Sequence, residues 1–127
     1  MGYHLLIEAK VNNLKANVLV DTGASRTVID LNRLGHFFEN PQKREYGKPC
    51  SGVGSGRIES FVTTLHTLQL GMEVIENLEV VAIDLSTVNQ NYAMFDLPRI
   101  DMVLGSDLLL KLKAVIDYSN KILSLKP

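Results

Sequence analysis

The sequence predicts an all-β fold with a few short helices, in one domain spanning residues 1–127. Three observations carry this. Apolar and polar residues alternate over Tyr3–Val11 and again over Leu14–Val20, the period of a half-buried strand. Two further runs rich in β-branched residues, Ile58–Leu70 and Val74–Leu85, meet at the turn Gly71-Met72. No stretch reads as a linker, and 127 residues with 46% hydrophobic and 21% charged residues fit one ordinary globular domain.

Taken in order, the first two strands meet at Asn12-Asn13, where both residues tolerate positive φ, so a tight hairpin is expected. The returning strand runs through Val18-Leu19-Val20 into Asp21-Thr22-Gly23-Ala24-Ser25, a turn, and Thr27-Val28-Ile29 resumes as a short strand. Asp30 suits the cap of a short helix carrying Leu31, Leu34, Phe37 and Phe38, and Asn40-Pro41 ends it. Residues 42–48 are polar without an apolar pattern and read as an exposed arm. Ser51-Gly52-Val53-Gly54-Ser55-Gly56 reads as a mobile hairpin tip. Asn77 marks an irregularity in the second long strand. Thr87-Val88-Asn89-Gln90 fits a capping box, with Val88, Tyr92 and Phe95 on one helical face and Pro98 closing the element. Met102-Val103-Leu104 predicts a buried strand ending at Gly105, and Ser106 a cap for the helix bearing Leu108–Leu112. Val115–Tyr118, a turn at Ser119-Asn120 and Ile122–Leu125 make a last hairpin. The strand entering Asp-Thr-Gly and the strand entering Leu104-Gly105 echo each other faintly, as in two similar units about a pseudo-two-fold axis.

A net charge of −1 gives nucleic acid or an anionic membrane no electrostatic handle. No apolar run approaches the roughly 18 residues of a membrane span. The start Met1-Gly2-Tyr3-His4-Leu5 lacks the basic region and apolar core of a signal peptide. With neither a signal peptide nor a membrane span in this sequence, a cytoplasmic location is expected; one cysteine, Cys50, excludes an internal disulfide and fits a reducing compartment, or simply a fold that needs no staple. His4, His36 and His66 lack ligand spacing, so neither a metal nor another cofactor is expected. The glycine run lacks a following Lys-Ser/Thr and opens no helix, unlike a phosphate-binding loop. Asp101, Asp107 and Asp117 read as turn, cap or surface residues, with Asp101 notable for bordering the second apolar–Gly segment.

Asp21 is the residue whose chemistry matters. Hydrolysis without a metal or a nucleophilic side chain needs an activated water, and two carboxylates sharing one proton supply an acid and a base together. The chain has one Asp-Thr-Gly and no Asp-Ser-Gly. A symmetric pair therefore requires a second copy, Asp21 beside Asp21′ on a two-fold axis.

Leu19-Val20-Asp21-Thr22-Gly23-Ala24-Ser25 resembles the active-site motif of the retropepsin-like aspartic proteases, a single-domain group with viral, bacterial and cellular members. Met102-Val103-Leu104-Gly105 with Ser106-Asp107-Leu108-Leu109 is similar to the second signature of that family, and Gly52–Gly56 to its flap tip. The resemblance implies a closed β-barrel-like acid-protease domain with a flap hairpin. It implies an aspartic endopeptidase active as a homodimer, with a polypeptide substrate held extended. Asp21 would be the catalytic carboxylate, Thr22 would interlock with Thr22′, and Gly23 would let backbone approach the carboxylate. Ala24 and Ser25, with Gly52, Val53, Gly54, Ser55 and Gly56, would line or cover the bound peptide. The polar Ser55 before Arg57, and the long segment from Leu31 to Lys48, depart from a minimal viral enzyme. The alternative is a non-proteolytic peptide-binding or dimerisation module of the same fold. An intact Asp-Thr-Gly speaks against it, since a pure binder has no use for two like charges held together.

Overall fold

The structure, a computed structural model, describes residues 5–41, 44–45, 50–51, 57–58 and 60–126. Strands β1 (Leu5–Val11) and β2 (Leu14–Val20) form the expected hairpin, in register from Leu5↔Val20 to Val11↔Leu14. Asn12 and Asn13 take φ of 49° and 70°, the left-handed pair of a two-residue hairpin. Asn12 also ties the hairpin down: its Oδ1 accepts from the amides of His66 and Thr67, and its Nδ2 donates to the Phe37 carbonyl.

The short strand β3 (Val28–Asp30) leads into a 3₁₀ turn, Leu31–Arg33, and helix α1 (Leu34–Phe37). Asp30 caps the turn as expected, accepting from Asn32 N–H at 3.1 Å. The arm contains a strand, β4 (Arg44–Glu45), paired with Val62 and Phe61. Strands β5 (Cys50–Ser51) and β6 (Arg57–Ile58) pair antiparallel, while the tip residues Gly52–Gly56 lie outside the described residues. The two long strands are β7 (Phe61–Leu70) and β8 (Glu73–Ile83), with Asn77 at φ 53° in the latter.

Helix α2 (Ser86–Ala93) departs from the expected capping box. It begins one residue before Thr87, and Asp84 does the capping by accepting from Ser86 N–H at 2.8 Å. Phe95 falls beyond the helix end and is exposed, so Tyr92 carries the buried face. Strand β9 (Met102–Leu104) is wholly buried and runs through Gly105 into α3 (Ser106–Lys111). Ser106 is the first helical residue rather than its cap. The chain closes with β10 (Val115–Asp117) and β11 (Ile122–Ser124).

Six strands close on themselves in the order β1-β2-β9-β3-β8-β7, with β7 returning to β1 through Lys10↔Gln69 and Val11↔Leu68. That short pairing closes the ring, and β4 adds outside β7 at Phe61 and Val62. Inside lie Val11, Val18, Ile29, Leu65, Leu68, Met102 and Leu104, all fully buried. A second, smaller cluster joins Leu19, Leu85, Tyr92, Ile100 and Val103 on the other face of β2 and β9. The feature that positions the site is the parallel pairing of β2 with β9, Val18↔Met102 to Val20↔Leu104. It sets Asp21 beside Gly105, each the residue that follows its strand. Among the described residues no helix is long and apolar enough to cross a membrane.

Candidate active site

The loop Asp21–Arg26 leaves the barrel where β2 ends. Val18 and Val20 are buried, so the strand is anchored up to the residue before the carboxylate. Asp21 N–H donates to the Leu104 carbonyl at 3.0 Å, continuing the ladder by one more bond. Beyond it the chain turns: Ala24 N–H donates to the Asp21 carbonyl at 3.1 Å. Gly23 N–H donates to Asp21 Oδ1 at 2.9 Å and fixes the carboxylate's rotation. Gly23 is needed for closeness, since a Cβ there would sit 3.3 Å from Asp21 Oδ1.

The far end of the loop is held by the chain after β9. Ser106 N–H donates to the Ala24 carbonyl at 2.7 Å. Thr27 is buried, and its N–H and Oγ1 donate to the two oxygens of Asp107 at 3.1 and 2.8 Å. Thr27 Oγ1 in turn accepts from Gly105 N–H at 3.1 Å. A Cβ on Gly105 would stand 2.7 Å from the Arg26 carbonyl carbon and oxygen, so glycine alone lets the two segments touch. Each neutral hydrogen bond contributes about 1 kcal/mol. A wholly buried Leu or Ile contributes roughly 2–3 kcal/mol. The buried strands therefore hold the loop in place, and the hydrogen bonds choose its shape.

Asp21, Thr22, Gly23 and Ser25 are exposed and Ala24 is half-buried, all on this one loop. The other expected residues, Gly52, Val53, Gly54, Ser55 and Gly56, lie outside the described residues, although the strands flanking them pair as Cys50↔Ile58 and Ser51↔Arg57. Ala24 packs on the smaller cluster, which contains Tyr92. Burial first, and then the negative charge of Asp21, push the Tyr92 phenol above its ordinary pKa and keep it neutral. Through Tyr92, helix α2 shares with Ala24 the packing beneath this loop. Among the described residues no group of three His, Cys, Asp or Glu side chains is arranged to hold a metal ion.

Sequence reasoning missed Thr27 and Asp107 as parts of this loop. Nothing local marks them, because Thr27 and Asp107 are 80 residues apart. It also placed Asp101 among turn, cap or surface residues. Asp101 is instead buried, accepting from Asn17 N–H at 2.9 Å and pairing with Arg33 Nε at 3.0 Å. Asp30, fully buried, accepts from Leu85 N–H at 3.2 Å and pairs with Arg99 at 3.4 Å. These two carboxylates lock β3, α2 and the approach to β9 together behind the site.

A family model described as Aspartyl protease matches residues 7–108, which takes in both the Asp21 loop and Gly105. Solved structures share the fold. The retroviral protease-like domain of Ddi1 from Leishmania major is 17% identical with a TM-score of 0.66, covering 98% of this chain and 90% of that one. The EIAV protease, solved with the inhibitor HBY-793, is 24% identical with a TM-score of 0.62, covering 92% and 95%. A retropepsin-like aspartic protease from Rickettsia conorii is 23% identical with a TM-score of 0.57, covering 91% and 77%. At these identities the likeness is one of fold. No curated protein matches the chain. The closed barrel is that of the retropepsin-like proteases, and with four-fifths of its length matched by the family model the chain belongs to the aspartyl protease family.

Proposed function

We propose that residues 1–127 form one domain of an aspartic endopeptidase that works as a homodimer, with Asp21 and Asp21′ sharing a proton at the two-fold axis. One observation carries this reading. The Asp21 carboxylate stands exposed on a loop fixed at both ends, with its rotation set by Gly23 N–H. The chain offers only one Asp-Thr-Gly. A rigid, exposed half-site is what a second copy would complete.

In the pair, the ionised carboxylate takes a proton from water as the water oxygen attacks the scissile carbonyl carbon. The protonated carboxylate hydrogen-bonds the carbonyl oxygen and gives its proton to the developing alkoxide. Collapse of the tetrahedral diol breaks the C–N bond, and the amine leaves with a proton from the dyad. The reading places an extended peptide between the Asp21 loop and a flap formed by Gly52–Gly56, held by backbone pairing. Thr22, beside Asp21, would meet Thr22′ in this dimer. For the second copy, β10 and β11 pair with each other and with no other described strand, and present Val115 and Ile122 to solvent. Their edges carry the unpaired backbone groups a partner strand seeks. The lone cysteine fits a reducing, cytoplasmic setting.

The test is digestion of a peptide library at acidic and neutral pH, with and without a hydroxyl-containing transition-state mimic. The reading expects cleavage that the mimic blocks and that Asp21→Asn abolishes with fold and dimer retained. Binding of peptides without cleavage would support a non-proteolytic module instead.

A further inference from the structure

Five of the six residues from Asp21 to Arg26 are exposed, so little core packing fixes them. Their shape depends on the anchors at the two ends. One end is a single backbone bond, Asp21 N–H to Leu104. The other combines a backbone bond, Ser106 N–H to the Ala24 carbonyl at 2.7 Å, with a closed circuit through two side chains. Asp107 accepts from both Thr27 N–H and Thr27 Oγ1, and Thr27 Oγ1 accepts from Gly105 N–H. The threonine hydroxyl thereby donates once and accepts once from protein groups. Asp107 also accepts from Leu108 N–H at 2.8 Å, which fixes its own rotamer. Asp107 is exposed, where water offers its carboxylate an alternative, so the circuit adds little stability for the specificity of its geometry.

We propose that Asp107, acting through Thr27, is a positioning residue that sets the separation of the two Asp21 carboxylates. The inference rests on the homodimeric reading above. Repulsion between like charges falls with distance, so the spacing decides how far one carboxylate's ionisation resists the other's. A displacement of about 1 Å at a reacting group costs about 10²-fold in rate. The titratable groups that neighbouring elements bring to this loop are Tyr92 from α2 and Asp107 from α3, and Arg26 lies on the loop itself. Substitution at Thr27 leaves all three in place.

The experiment compares the parent with Thr27→Val, which keeps the shape and removes the hydroxyl, and Thr27→Ser, which restores it. Peptide cleavage is followed across pH, and the Asp21 carboxyl is titrated by NMR. Thr27→Val is expected to lower kcat by about 10²-fold, with KM changed far less. Its pH–rate bell should narrow as the two macroscopic steps draw together, and Thr27→Ser should recover both kcat and width. If Thr27→Val does not fold, Asp107→Ala, which removes both acceptor oxygens on the exposed side of the circuit, is read in the same way. A parent with two separated steps whose variants keep the same separation and kcat overturns the positioning role alone. A parent in which Asp21 titrates in one ordinary step overturns the dyad, and this inference with it.

Discussion

Two glycines near the site are present for different reasons, and substitution separates them. A Cβ on Gly105 meets backbone at 2.7 Å, which cannot yield without moving the loop. Gly105→Ala should destabilise the fold by about 1–3 kcal/mol in urea unfolding and lower activity as well. A Cβ on Gly23 meets only Asp21 Oδ1 at 3.3 Å, a side-chain atom that gives by a few tenths of an ångström. Gly23→Ala should change stability by less than about 1 kcal/mol while cutting cleavage, because the displaced atom belongs to the carboxylate proposed to react. The buried Asp101–Arg33 pair gives a third expectation. Arg33→Met leaves a buried carboxylate without its cation and should cost about 3 kcal/mol, read by urea unfolding. The turn at Asp21 was legible in the sequence because its parts are local: strand, carboxylate, hydroxyl and glycine are consecutive. Asp101 was not, because Asn17 and Arg33 lie 84 and 68 residues away and no spacing announces them.

Among the elements, alternation predicted β1 and β2, since a half-buried strand writes its period into the residues themselves, and runs of strand-forming residues predicted β7 and β8. Short elements were read less well. The start of α2 was assigned to Thr87 because Thr-Val-Asn-Gln matches a capping box, yet Asp84 wins the role with both Ser86 N–H and Ser86 Oγ as donors. Those bonds, the Ser86 hydroxyl first, hold the Asp84 carboxyl below its ordinary pKa. A lowered folded-state pKa means the stabilisation is present above the unfolded value and lost as pH falls through the folded one. Asp84→Asn should therefore be less stable than the parent at neutral pH. The gap should shrink on acidification below the ordinary carboxylate range, as followed by thermal unfolding. The pair β4–β7 escaped notice because two charged residues, Arg44 and Glu45, carry no apolar signal in the sequence.

At the scale of the molecule, the sequence showed strands but not their neighbours. The parallel registers β2–β9 and β3–β8 join segments far apart in the chain, and only closure of the six-stranded ring reveals that Asp21 and Gly105 end adjacent strands. The pseudo-two-fold echo was the one trace of this in the residues. The same geometry leaves the Asp21 loop on the surface with one carboxylate of the two that the proposed dyad needs, so the central proposal is that activity belongs to the pair of chains. Mixing the parent with Asp21→Asn at fixed total concentration, allowing subunits to exchange, tests it most directly. If each site needs Asp21 from both copies, mixed dimers are inactive and cleavage falls as the square of the parent fraction; a linear fall would show that one chain cleaves without its mate and would contradict the account.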